Sequence, residues 1–172
     1  MKLLFELDEN NYKGKSKIFK RTAVRSVIFI DNKLVMIKSS KYGECKFIGG
    51  GVKTDESHFD TLKREAKEEG GIILNDDIKP LGYVIEKRAS TFAEDEIFIM
   101  HSYYYLCKID RYEENNLQDY EIDYDYKLVF VDPLVAYINN LLIGFDNPNI
   151  KWNKRDTCML DLIVNNKIAN FN

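Results

Sequence analysis

GGGVKTDESHFDTLKREAKEEGG, residues 49–71, sets how the rest of the chain is read. Three glycines run into a polar turn. Ser57 and Asp60 then form an S-x-x-D capping box that opens a helix, and Gly70-Gly71 supply its stop. On a helical wheel of about 100° per residue, Phe59, Leu62, Ala66 and Ile73 fall on one side, the expected core face. Glu65, Glu68 and Glu69 form a stripe at the edge of that face, in the last turn, where the helix dipole is negative and favours cations. Glu65 and Glu69 are a like-charge i, i+4 pair, and Lys63 and Lys67 point to the opposite flank. Within the helix only Arg64 is placed to compensate, at i, i+4 from Glu68. A divalent cation would remove the cost. Hard carboxylate oxygens suit Mg²⁺ or Mn²⁺, which keep waters and bridge to substrate phosphates. The competing reading is a plain solvated face, the usual fate of a charge-rich helix such as KREAKEE.

Outward from this unit, the flanks read as strands. TAVRSVIFI (22–30) is rich in β-branched residues, DN turns the chain, and KLVMIKS returns. Residues 2–12 predict a first short strand, followed by the polar link NNYKGKSK; residues 1–20 form an N-terminal extension. KYGECKFIGGGV holds a very short strand before the glycines. Downstream, KPLGYVIEKRAS and EIFIMHSYYYLCKI predict long strands joined around TFAED, and KLVFVD (127–132) predicts another. Pro133 opens a helix through about Asn140, and a last helix is expected over 154–166. Strands followed and flanked by helices indicate an α/β fold with a mixed β-sheet, organised as one domain over residues 1–172.

Composition narrows the function. With 172 residues, 45% hydrophobic and 31% charged, the chain has the makings of a full-sized core. No apolar run approaches the roughly 20 residues needed to span a bilayer. The acidic turn in MKLLFELDEN argues against a signal peptide. Cys45, Cys107 and Cys158 are widely spaced, which disfavours a disulfide framework or a cysteine zinc site and suits a reducing cytoplasm. A net charge of −3 removes any bulk electrostatic case for nucleic-acid binding. A homodimer is compatible with all of these features.

The spacing of the opening stretch is more specific than its composition. Gly50, Glu56, Arg64-Glu65, Ala66, Glu68-Glu69, Gly71 and Ile72 stand in the order G-x5-E-x7-R-E-U-x-E-E-x-G-U. This resembles the Nudix box, in the expected strand–loop–helix context. Two positions depart from it: Ile48 stands where the family usually has proline, and Ala66 is smaller than the usual aliphatic residue. The resemblance implies a Nudix-type α/β/α sandwich and hydrolysis of a nucleoside diphosphate linked to another group X, with Mg²⁺ or Mn²⁺ as cofactor. It implies that Glu65, Glu68 and Glu69 ligate the metal, with the carbonyl of Gly49 or Gly50 as a further ligand. It implies that Arg64 orients the glutamates, and that Gly50, Glu56 and Gly71 serve the loop–helix unit structurally.

The general base varies across the family, and four residues are candidates: Glu65, Glu94, Glu96 and Glu121. Lys38, at the end of a strand beside the expected site, is a candidate phosphate contact. Phe92 and Trp152 are candidate base-stacking residues, against the ordinary reading of both as packing. The tyrosines of HSYYYL read as core and sheet-face packing, and His58 and His101 carry no metal-ligand spacing. Subfamily marks leave the substrate open. ADP-ribose hydrolases tend to carry a proline about fifteen residues past the box, and dinucleoside polyphosphate hydrolases a tyrosine slightly beyond. Here those positions read EKRA, Glu86 to Ala89. The NADH-type and coenzyme A signatures are absent too. A nucleoside triphosphate is the first expectation and a nucleotide-sugar the second. The rivals are a Nudix-fold sensor that binds nucleotide without hydrolysis, and an isomerase, for which the needed cysteine and glutamate roles are not found.

Overall fold

The structure, a computed structural model, describes residues 1–113 and 124–167. Its elements run β1 (Leu3–Asp8), β2 (Lys17–Ile30), β3 (Lys33–Ser39), β4 (Cys45–Lys46), α1 (His58–Gly70), β5 (Ile72–Leu74), β6 (Lys79–Ala89), β7 (Glu96–Cys107), β8 (Ile109–Tyr112), β9 (Tyr126–Val131), α2 (Pro133–Ile143), a 3₁₀ turn (Pro148–Ile150) and α3 (Trp152–Val164). The mixed sheet is ordered β1-β6-β7-β2-β3-β4, with β9 also paired to β3; β5 and β8 form a separate two-stranded ribbon.

Alternation along the central strands builds two cores. Val24 and Ile28 of β2 and Val35 and Ile37 of β3 face Leu62 and Ala66 of α1. Val27, Leu34 and Met36 point the other way, toward Ala136 of α2 and Met159, Leu160 and Ile163 of α3. Helices thus cover both faces of the sheet, the expected α/β/α sandwich.

Several expected boundaries shift, for physical reasons. β2 begins at Lys17, not at 22, because its exposed, polar start runs parallel to β7 from Lys17↔Glu96 through Ile28↔Cys107. The strand ending in LCKI breaks at Lys108, and Ile109–Tyr112 turns away to pair with β5. α1 stops at Gly70 with Gly71 left-handed (φ 61°), so Ile73 lies on β5 and not on the helix. Phe59 is 50% exposed and not a core residue; its ring meets Tyr105 edge-on at 5.8 Å. The last helix runs 152–164 where 154–166 was expected. Among the described residues, no helix is long and apolar enough to cross a membrane.

Two side chains fix the approach to the glycines. Asn140 of α2 pairs with the β4 backbone, accepting from Cys45 N (2.9 Å) and donating to Cys45 O (2.8 Å). Asp156 of α3 accepts from Phe47 N at 3.2 Å. The glycine run then lies along β2: Ser26 N donates to Ile48 O (2.8 Å), Val24 N to Gly50 O (3.0 Å), and Val52 N to Thr22 O (3.0 Å). Ile48 is fully buried against α1, so the residue in place of proline serves the core.

Candidate active site

α1 is held at its start as its sequence suggests. The Ser57 hydroxyl accepts from Asp60 N (3.1 Å), and the Asp60 carboxylate accepts from Ser57 N (3.2 Å). This fixes the helix against the glycine run and aims its far half at a cleft of about 640 Å³. Gly49, Gly50, Arg64, Glu65 and Glu69 all line that cleft. Both glycines sit at close approach, Gly49 to backbone and Gly50 to a side-chain end. At Gly49 (φ 139°) an added Cβ would strike the Val24 carbonyl, and at Gly50 it would overlap the Glu65 carboxylate.

Arg64 is the hub. Its Nε and Nη2 donate to the two oxygens of Glu56 (2.6 and 2.9 Å), a bidentate fork. Its Nη1 donates to Glu65 (2.7 Å) and to Glu68 (2.9 Å), bringing one oxygen of each onto a single nitrogen. The fork holds the Glu56 carboxyl down at about 2, and the same bonds, Glu56's first, raise the pKa of Arg64. Burial pushes the Glu65 carboxyl up, and the Glu69 charge adds to that, against the pull of Arg64.

Glu69 corrects the expectation that no lysine neutralises the stripe. Lys63 and Lys67 do turn away, to Asp76 and Glu113. Lys46, however, reaches in from β4: its Nζ lies 2.6 Å from Glu69 Oε1 and 4.3 Å from the Tyr126 ring centroid. Gly49 N takes the other oxygen of Glu69 at 2.9 Å. The Gly49 carbonyl accepts from Arg25 Nη1, and the Gly50 carbonyl is in the β2 ladder.

These contacts bear on a metal. Carboxylates and a backbone carbonyl are hard donors of the right kind for Mg²⁺ or Mn²⁺, and Glu65 and Glu68, gathered by Arg64, fit that use. Glu69 and the Gly49 carbonyl are held by the protein's own cations instead. Among the described residues no three His, Cys, Asp or Glu side chains sit together at ligating distance.

The remaining candidates fall unevenly. Phe92 and Trp152 line the cleft. Lys38 does not; it is exposed on β3, paired in register with Lys127 and Cys45. Of the candidate bases among the described residues, only Glu65 lines the cleft. Glu96 accepts from Ser90 (2.6 Å) and borders a neighbouring pocket, and Glu94 accepts from Lys15 through its carbonyl. Glu121 lies outside the described residues.

Sequence reasoning missed the cationic wall. Arg21, Arg25, Lys46, Lys53, Arg88 and Lys151 line the cleft, drawn from β2, β4, β6 and the loops between elements. Arg155 joins them, held by Asp156 (2.9 Å) and by Glu86 (3.2 Å). One signal was visible: Arg25 is a charged residue in the middle of an apolar, β-branched strand, and such a residue needs a reason.

Comparison with known proteins agrees with the fold. A crystal structure of an ADP-ribose pyrophosphatase from Streptococcus suis is similar with a TM-score of 0.54 at 16% identity, covering 88% of this chain and 94% of that one. The crystal structure of an ADP compounds hydrolase is similar with a TM-score of 0.50 at 20% identity, covering 88% of this chain and 75% of that one. At these identities the likeness shows the fold. No curated protein sequence matches the chain. The NUDIX domain family matches residues 20–133, a span that contains the glycine run, α1 and most of the sheet. On that match, the chain belongs to the NUDIX family.

Proposed function

We propose that this Nudix hydrolase is a divalent-cation-dependent pyrophosphohydrolase of a nucleoside diphosphate linked to a second group X. One observation carries the reading: Glu65, held by Arg64, and Glu69 share a cleft with a wall of arginines and lysines, with Glu68 on the same Arg64 nitrogen just outside its lining, in a chain whose net charge is −3. Positive charge gathered in one concavity of an acidic protein suits a polyanion. Glu65 and Glu68 would hold the cation, joined by Glu69 once Lys46 releases it. When bound, Mg²⁺ or Mn²⁺ supplies polarisation of a phosphoryl group and a lowered pKa for the attacking water. Arg64 fixes the carboxylates through its fork to Glu56. Glu65, which lines the cleft and keeps one oxygen clear of Arg64, takes the proton from water. Arg21, Arg88 and Lys151 offset phosphate charge, and Phe92 and Trp152 offer flat surfaces for a base. A nucleoside triphosphate is the first substrate to try and a nucleotide-sugar the second. ADP-ribose belongs on the same panel, because the Streptococcus suis relative is an ADP-ribose pyrophosphatase.

The second reading, a nucleotide sensor without hydrolysis, is favoured by the Lys46–Glu69 pair, which satisfies a box glutamate without metal. A nucleotide panel with Mg²⁺ and Mn²⁺ separates the two. Hydrolysis in ¹⁸O-labelled water should place label on a phosphate-bearing product and never on a sugar carbon. Tight binding across the panel with every nucleotide returned intact would establish the sensor instead.

A further inference from the structure

Five guanidiniums line the cleft, those of Arg21, Arg25, Arg64, Arg88 and Arg155, and they differ in exposure and in what balances them. Arg64 is held by Glu56, Glu65 and Glu68, and Arg155 by Asp156 and Glu86. Arg25 is 9% exposed, and among the described residues no carboxylate comes within ion-pair distance of it; the charges of Asp156 and Glu69 act on it only from farther off, against the like charge of Arg155. The Nη1 of Arg25 donates to the Gly49 carbonyl, and its Nε is buried with no hydrogen-bond partner. Buried polar groups in folded proteins are nearly always partnered, and an uncompensated buried charge is among the most destabilising features a fold can carry. The Gly49 contact alone does not account for it, because one neutral donor would serve that carbonyl.

We propose that Arg25 is an anion subsite at the floor of the cleft, binding a phosphate oxygen of the substrate without the help of a metal. The inference rests on the diphosphate reading and adds where one phosphate sits: beside the glycine run, on the β2 side, across from the carboxylates that Arg64 gathers. A planar guanidinium with unused N–H donors suits a phosphate oxyanion, since it offers a fork as well as charge. The unliganded protein then carries the strain of an unpaired charge that substrate relieves, a common exchange of stability for function.

Inorganic pyrophosphate in EDTA is the probe, with binding read by calorimetry and by thermal shift. The parent should bind it and melt at a higher temperature in its presence. Arg25→Gln keeps an N–H that can serve the Gly49 carbonyl but loses the charge, and should weaken binding about ten- to a hundred-fold, the range for a charged hydrogen bond. Arg25→Met should lose binding similarly and, without ligand, melt above the parent. If Arg25→Met does not fold, Arg25→Gln decides alone. Parent protein that ignores pyrophosphate in EDTA, or Arg25→Gln that binds it within about twofold of the parent, overturns the subsite. Once a substrate is in hand, Arg25→Gln should raise KM more than it lowers kcat. The two proposals fail separately. A parent that hydrolyses nucleotides but ignores metal-free pyrophosphate keeps the hydrolase and loses the subsite. A parent that binds pyrophosphate through Arg25 but turns nothing over does the reverse.

Discussion

Replacing Lys46 with methionine tests how the box carboxylates are balanced before any ligand arrives. Lys46 is 7% exposed and Glu69 is 2% exposed, so the variant leaves a buried carboxylate without its cation. Breaking such a pair typically costs about 3–5 kcal/mol, and the lower end applies here because Gly49 N still donates to Glu69. In a domain of this size about 3 kcal/mol corresponds to a fall in Tm of about 6–12 °C. The measurement is a melting curve in EDTA, repeated with Mg²⁺ or Mn²⁺. Metal at a hundredfold excess over its dissociation constant contributes about 2.7 kcal/mol, so the variant should recover most of its loss. The parent should gain less, since there the metal competes with Lys46 for Glu69. A variant that melts within about 2 °C of the parent in EDTA would show that the pair contributes nothing. A smaller metal shift in the variant than in the parent would refute the competition.

Gly50→Ala sets a Cβ against the Glu65 carboxylate, the free end of a flexible side chain, so the fold should survive with a Tm within a few degrees while hydrolysis falls by about a hundredfold or more. Activity at parent level would mean that Glu65 need not sit where it does. Glu56→Gln isolates one acid-limb contribution. The fork from Arg64 depresses the Glu56 pKa from 4.5 to about 2, so the unfolded chain binds the extra proton and the stability this supplies is present above about pH 4.5 and lost as pH falls toward 2. The gap in Tm between parent and variant should narrow across that window, and a constant gap would remove the assignment.

What could be read in advance was local. The capping box, the Gly71 stop and the Arg64–Glu68 pair lie within one loop and one helix, where spacing along the chain is spacing in space. The long strands showed through their β-branched and aromatic content. Their partners did not: β1 lies parallel to β6 and β2 parallel to β7, and nothing in a strand's own residues names a neighbour that far along the chain. Phe59 failed because helical periodicity finds a face but cannot say how far the sheet extends beneath it. Lys38 lies outside the cleft for a related reason, since the end of a strand can be read from sequence while the direction of the side chain there, exposed in this case, cannot. Lys46 and Arg25 escaped because each acts across the fold, from β4 and β2, on groups carried by other elements.

Those two residues change the meaning of the carboxylates at the helix end. From the sequence the stripe is an electrostatic deficit waiting for a cation. In the folded chain the deficit is only partly met: Arg64 is shared among Glu56, Glu65 and Glu68, and Lys46 takes Glu69. A divalent ion entering this site therefore exchanges with a protein cation, and its net gain is the difference between two strong interactions and not the full value of either. The same exchange couples metal to substrate. A Lys46 ammonium freed from Glu69 still lines the cleft, where a phosphate is the natural new partner, so occupancy of either ligand should favour the other. The positive wall that net charge conceals is thus partly latent, and metal binding is what would release Lys46 toward the polyanion.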